Sequence, residues 1–240
     1  MSVKRLAELI RARQPCVVLT GAGVSTESGI PDFRSPTGIW ADVDPMDYAS
    51  LSAFRADPER VWSFYAKRIE MLTGAEPNAA HHALAELERL GLVGAVVTQN
   101  IDLLHTRAGS ENVVEVHGSI RTASCPACGA VHPLDVSLLP VPRCRECGAV
   151  LKPDVVFFGE LLPQAAIDRA YELARSAALM LVVGSALEVY PVADLPLETL
   201  RAGGSLAIVN RGPTALDDEA GLRIDGLAGE ILREVATVLA

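Results

Sequence analysis

What most constrains this chain is a set of short apolar runs, each about one strand long and separated by stretches long enough for a helix. The runs are Cys16–Thr20, Val93–Thr98, Leu179–Val183 and Leu206–Val209, with Val113–Val116 a further one interrupted by Glu115. A strand with one wet face alternates apolar and polar residues. A run that is apolar at every position is covered on both faces, as in a parallel sheet sandwiched by helices. The intervening stretches have helical signals. Val3, Leu6, Ala7 and Ile10 fall at helical spacing within residues 2–13. Asp57-Pro58 joins a cap residue to a proline at the first helical position and opens a helix carrying Val61, Phe64, Tyr65, Arg68 and Leu72. Asn78 caps a further helix that ends at Gly91, and residues 165–176, 197–202 and 227–239 close the series. Strands alternating with helices predict an α/β fold built on a doubly wound parallel sheet.

Composition narrows the function classes. The chain has 240 residues, half of them hydrophobic, and a formal net charge of −9. That suits a large buried core and argues against disorder and against direct nucleic-acid binding, which favours basic surfaces. Residues 1–13 lack the apolar stretch of a secretory leader, and no apolar run approaches the roughly 20 residues of a membrane span. The expectation is a cytoplasmic protein with no membrane partner.

Residues 121–152 differ from the rest, being rich in Cys, Pro and Gly with little periodicity. Cys125-Pro-Ala-Cys128 and Cys144-Arg-Glu-Cys147 stand fifteen residues apart. Each CxxC brings two thiolates to one ion from a tight turn, and four thiolates close a tetrahedral zinc site with no position left for water. The expected zinc is therefore structural. A redox dithiol pair and a DNA-reading zinc ribbon are the competing readings. Four basic residues against two acidic ones in the module give the second little support. Cys16, mid-strand among valines and leucine, reads as core.

Gly21-Ala22-Gly23 follows the first strand, where a doubly wound fold holds a pyrophosphate on free backbone amides. A tight structural turn explains two glycines equally well, because Thr26 occupies the third position of the GxGxxG pattern. The surrounding residues are far more specific. Gly21-Ala-Gly-Val-Ser25-Thr-Glu27-Ser-Gly29-Ile-Pro-Asp32-Phe33-Arg34 closely resembles the signature of the sirtuins, NAD-dependent protein deacylases. So do Thr98-Gln99-Asn100-Ile101-Asp102, His117-Gly118, Phe158-Gly159-Glu160 and Gly184-Ser185. The matching blocks run in family order from about residue 15 to 230, with the four cysteines where that family has its zinc.

The resemblance implies a Rossmann-type NAD-binding domain made of residues 1–34, 92–120 and 153–240. It also implies a small domain from a helical insertion (35–91) and the zinc module (121–152), with NAD and an acyl-lysine protein meeting between them. It assigns His117 as general base toward a ribose hydroxyl, a task suited to a group that titrates near neutrality. Asn100 and Asp102 stand with it, Asn100 ordering a water and both lining the nicotinamide pocket with Ile101. Cofactor contacts are implied for Gly21, Ala22, Gly23, Ser25, Glu27, Asp32, Phe33, Arg34 and Gln99, with Phe33 shielding the ribose. Gly184, Ser185, Asn210 and Ala228 take the adenosine half. Where many relatives have Gly-Thr-Ser, this chain has Gly-Ser-Ala at 184–186. Val156 and Phe158 are expected to wall the acyl-lysine tunnel, while Gly159-Glu160 and Leu187-Glu188-Val189 pair with the substrate backbone as added strands.

Tyr65 and Arg68 lie three apart on one helix face, and a guanidinium beside a phenol suits a carboxylate. Val61-Trp62-x-Phe64-Tyr65-x-x-Arg68 resembles the sirtuin branch that removes succinyl and malonyl groups. The expected activity is removal of acetyl and succinyl or malonyl groups from lysine, giving nicotinamide, O-acyl-ADP-ribose and free lysine. The alternatives are a protein mono-ADP-ribosyltransferase and a non-enzymatic NAD-sensing regulator.

Overall fold

The structure is a computed structural model that describes residues 2–33, 38–41 and 43–240. Its strands are β1 (Cys16–Thr20), β2 (Ala95–Thr98), β3 (Val113–Glu115), β4 (Gly118–Ser124), β5 (Val131–Pro133), β6 (Lys152–Val155), β7 (Leu179–Val183), β8 (Ser205–Asn210) and β9 (Leu222–Asp225). Its helices are α1 (Ser2–Ala12), α2 (Pro45–Tyr48), α3 (Leu51–Ala56), α4 (Pro58–Gly74), α5 (Ala79–Arg89), α6 (Leu104–Arg107), α7 (Gln164–Ser176), α8 (Leu195–Arg201) and α9 (Ala228–Leu239). Six strands form one parallel sheet in the order β3-β2-β1-β7-β8-β9. The wholly buried β1 and β7 lie at its centre, as their unbroken apolar runs require.

Two apolar layers sandwich the sheet. One joins α1, α5 and α9 through Leu6, Ile10, Leu84, Leu87, Leu232 and Val235. The other joins α7 and α8 through Ile167, Leu173 and Leu195. The alternating β9 sits at the sheet edge, which is why its residues do not read as a buried run.

A second unit holds its own core of Phe54, Val61, Trp62, Tyr65, Ile69, Leu72 and Phe157. It includes a three-stranded antiparallel sheet, β5-β4-β6, where sequence periodicity showed no strands. These strands are short and half-exposed, so composition hides them. α5 is the main boundary correction. Its buried residues Ala80, Ala83, Leu84 and Leu87 belong to the large core, so the helical insertion drawn at 35–91 stops short of it. Ile120 joins the core of the second unit, together with Ile30 and Leu104 from the segments after β1 and β2 of the large sheet.

Local chemistry sets several ends. The Asp57 side chain accepts from the Arg60 amide at the start of α4. Asn78 caps α5 in a reciprocal box with His81.

Candidate active site

A cleft of about 820 Å³ opens between the two units at the C-terminal edge of the parallel sheet, where open α/β folds bind ligands. The loop after β1 forms its floor. Residues Ala22–Ser28 make a short 3-10 turn beginning on Gly21-Ala22-Gly23. Gly23 lies against Gly184: a Cβ on Gly23 would stand 2.8 Å from Gly184 Cα, and one on Gly184 would stand 2.2 Å from the Val24 nitrogen. Only hydrogen at both positions lets the loops after β1 and β7 touch. The two glycines thus bring backbone, rather than side chains, to the cleft.

A connected polar network lies beneath this loop. Ser25 Oγ donates to Asp102 Oδ2 at 2.7 Å and accepts from Asn100 Nδ2 at 3.0 Å. Asp102 Oδ1 accepts from the Leu104 amide, starting α6. His81 Nε2 lies 3.4 Å from Ser25 Oγ, and its Nδ1 accepts from the Asn78 amide at 3.2 Å. The proton of a neutral His81 therefore sits on Nε2, facing the serine. His105 Nε2 meets Thr20 Oγ1 at 2.9 Å. Thr20 sends its hydroxyl proton to Thr98 Oγ1, so His105 also carries its proton on Nε2. Burial pushes the imidazoles down to about 3 for His81 and about 4 for His105, and at His81 the charges of neighbouring His105, 4.8 Å away between ring centroids, and His82 add to the lowering. His81 and His105 are both buried under the site, on α5 and α6. The helical phase of His81 with Ala80 and Leu84 was the available signal; nothing local marked His105.

His117 occupies the turn between β3 and β4. Its Nδ1 lies 3.0 Å from the Gln99 carbonyl and donates to it, leaving Nε2 as the basic nitrogen. Burial lowers its pKa, opposed by that hydrogen bond. Gly118 follows with φ of 71°, and a Cβ there would lie 2.1 Å from the Asp154 carbonyl oxygen. Only glycine lets β4 and β6 cross directly behind the histidine. Gln99, in turn, donates to Ser185 Oγ at 3.0 Å.

The structure gathers His117, Asn100, Asp102, Ile101, Gln99, Gly21, Ala22, Gly23, Ser25, Asp32, Phe33, Gly184, Ser185, Asn210 and Ala228 around the one cleft. Tyr65, Arg68, Val156, Phe158, Gly159, Glu160, Leu187 and Val189 line it too. Arg34 lies outside the described residues. Glu27 is the departure. Its carboxylate accepts from the Gly229 amide at 2.6 Å and caps the start of α9, so it is absent from the described lining of the cleft. Ala228, one residue away, is held in place by that cap. The Glu160 amide donates to Phe157 O and the Leu187 amide reaches Ser185 Oγ. Sequence reasoning missed Trp40, whose indole stacks between Phe33 at 5.7 Å and Phe64 at 5.4 Å. An isolated aromatic in an aperiodic loop carries no local signal.

At the acyl end, Tyr65 and Arg68 are both buried on the inner face of α4. The guanidinium lies 5.0 Å over the Phe33 ring; among the described residues no carboxylate lies within ion-pair distance of it, and Asp102 acts on it from farther away. Burial lowers the Arg68 pKa and raises that of Tyr65.

The four thiols of Cys125, Cys128, Cys144 and Cys147 lie within 4.8 Å of one another. The cross-knuckle Cys125–Cys147 and Cys128–Cys144 sulfur separations are 3.4 and 3.6 Å. These are too long for disulfides and close to the edges of a tetrahedron with about 2.3 Å zinc–sulfur bonds. The donor set fits zinc, and the module stands apart from the cleft lining.

Residues 21–191 match the Sir2 family model. The chain is 47% identical over 228 residues to NAD-dependent protein deacylase 2 of Pyrobaculum aerophilum, covering 95% of this chain and 92% of that protein. It is 48% identical over 233 residues to NAD-dependent protein deacetylase 1 of Geobacillus kaustophilus, covering 96% of each. Among solved structures, a Sir2 complex with deacetylated p53 peptide and 3′-O-acetyl ADP-ribose superposes with a TM-score of 0.94 at 42% identity, over 99% of this chain and 98% of that one. A Sir2 homologue–NAD complex superposes with a TM-score of 0.91 at 42% identity, over 98% and 93% of the two chains. With its sheet order, its paired glycine loops and these matches, the chain belongs to the Sir2 family.

Proposed function

We propose that this protein is an NAD-dependent protein-lysine deacylase. The observation that carries the reading is the fixed tautomer of His117, whose Nδ1–H is held by the Gln99 carbonyl and whose Nε2 is basic beside Asn100 and Asp102. NAD bound with its phosphates on the Gly21–Gly23 amides would direct its nicotinamide end toward that group. The nicotinamide–ribose bond breaks, and the acyl oxygen of a modified lysine bonds to the ribose anomeric carbon. His117 Nε2 takes a proton from a ribose hydroxyl, which then attacks the acyl carbon. Water completes the exchange, releasing free lysine, nicotinamide and O-acyl-ADP-ribose. The buried Ser25–Asn100–Asp102 network holds the asparagine amide in one orientation for this work. The relatives' names and the p53-peptide complexes support an acyl-lysine protein as substrate.

The finer reading is that the acyl group includes succinyl or malonyl. Support comes from Arg68, a buried cation with no carboxylate at ion-pair distance among the described residues and only the more distant Asp102 acting on it, set beside Tyr65 at the end of an aromatic-walled channel. A carboxylate entering there would compensate its charge. Zinc, when bound by the four cysteines, would fix the two knuckles and carry no reaction step.

The test incubates acetyl- and succinyl-lysine peptides with NAD and weighs the products. Peptide mass lost as an acyl group, with acyl-ADP-ribose formed, is the expected result. NAD left intact with every acylated peptide overturns the reading, and ADP-ribose gained by the protein target identifies the transferase alternative instead.

A further inference from the structure

We propose that His132 holds the zinc–thiolate cluster together by donating its Nε2–H to the Cys144 sulfur. The inference deepens the zinc reading above and rests on it. Zinc with four thiolates carries a net charge of −2. Cys128 and Cys147 are exposed, so water can solvate their sulfurs. Cys125 and Cys144 are only 2% and 3% exposed and pack with Ala123 and Leu151. Half of the cluster's negative charge is therefore placed in an apolar setting, which is unfavourable unless N–H groups point at the sulfurs.

For Cys125 those donors are the backbone amides of Cys128 and Ala127. Cys144 has a side-chain donor. Pairing of β5 with β4 sets His132 opposite the fully buried Ala123, and this register carries the imidazole across the module to within 3.3 Å of Cys144 Sγ. The four sulfurs form the ligand set by themselves, which leaves the imidazole as a donor to the cluster and not a member of it. A donor on the sulfur withdraws charge from the thiolate, making it a weaker nucleophile toward a proton or an alkylating reagent, the attack by which a sulfur is lost from the cluster.

The experiment measures zinc release from the whole protein to a chromogenic chelator under a thiol-alkylating reagent. His132→Ala and His132→Phe should each release zinc about tenfold faster than wild type, the lower end of the range for lost outer contacts to a metal site. His132→Gln, which restores an N–H, should fall between. Phe retains the ring's bulk, so a purely steric role would leave it like wild type. Release at the wild-type rate by both Ala and Phe variants overturns the proposal, as does a Gln variant no slower than Phe. Cobalt substitution gives a second readout. A four-thiolate spectrum unchanged in all three variants is expected, and a spectrum that loses a nitrogen ligand when His132 is replaced makes it a ligand and overturns the donor role. Protein that purifies without zinc and takes none up fails at the zinc reading itself, before His132 is in question.

Discussion

At the residue scale, the site depends on imidazoles kept neutral for different ends. His117 has one nitrogen committed to Gln99 and one free to accept a proton. Because burial lowers its pKa, the neutral, competent form persists to lower pH than for an ordinary histidine. The acid limb of kcat/KM should lie below the usual histidine range near 6.5, and His117→Ala should cut kcat by about 10²–10⁴. A pH–rate profile of the wild type, with a limb above pH 7, would contradict the assignment. Arg68 makes the sharper prediction. Replacing it with Met leaves an incoming succinyl carboxylate buried without a cation, a loss of about 3–5 kcal/mol and hence at least a hundredfold in desuccinylation. Deacetylation should change by only a few fold, and equal losses on the two peptides would refute the role given to Arg68. Both residues were legible in the chain through the motifs around them. Glu27 was not, because its partner amide at Gly229 lies 202 residues away.

At the scale of elements, α5 links the glycine loop to the large core. Asn78 caps the helix by accepting from the Ala80 amide on its side-chain Oδ1, and its side-chain Nδ2 donates to Val24 O at 2.8 Å and Ser28 Oγ at 3.0 Å. Asn78→Ala should therefore cost more than a cap alone, about 2 kcal/mol, lowering Tm by roughly 4–8 °C. It should also raise the KM for NAD, since the same bonds hold the loop after β1. A melting point lowered with no change in KM would separate α5 from that loop. Removal of zinc belongs to this scale too. The module has only a small core of Ala123, Cys125, Cys144 and Leu151, too little to hold two knuckles without the metal. Chelation should abolish amide-exchange protection in β4 and β5 while sparing β1 and β7. Uniform loss of protection across both units would show that they unfold as one.

For the whole molecule, the buried histidines make stability depend on pH. His81 and His105 are neutral in the fold, held down to about 3 and about 4, against an ordinary value of 6.5. Unfolding lets both take up protons below pH 6.5, so the unfolded state binds more protons there and acid favours it. Their contribution is complete above pH 6.5 and is lost as pH falls toward 4, at up to about 1.4 kcal/mol per pH unit for each ring. Urea titrations at pH 7.5, 6 and 5 should show stability falling along that series, and a flat response would mean that the rings are not buried neutral. The chain's own residues determined the parallel sheet, the zinc ligands and the order of the cleft motifs, because unbroken apolar runs, CxxC knuckles and strand-end loops are local patterns. Tertiary structure decided the rest: the loss of α5 to the large core, the burial of His81 and His105, the seating of Trp40 between two rings, and the capture of Glu27 by α9. Each depends on which distant surfaces come into contact, and contact energies between distant segments leave no periodicity along the chain.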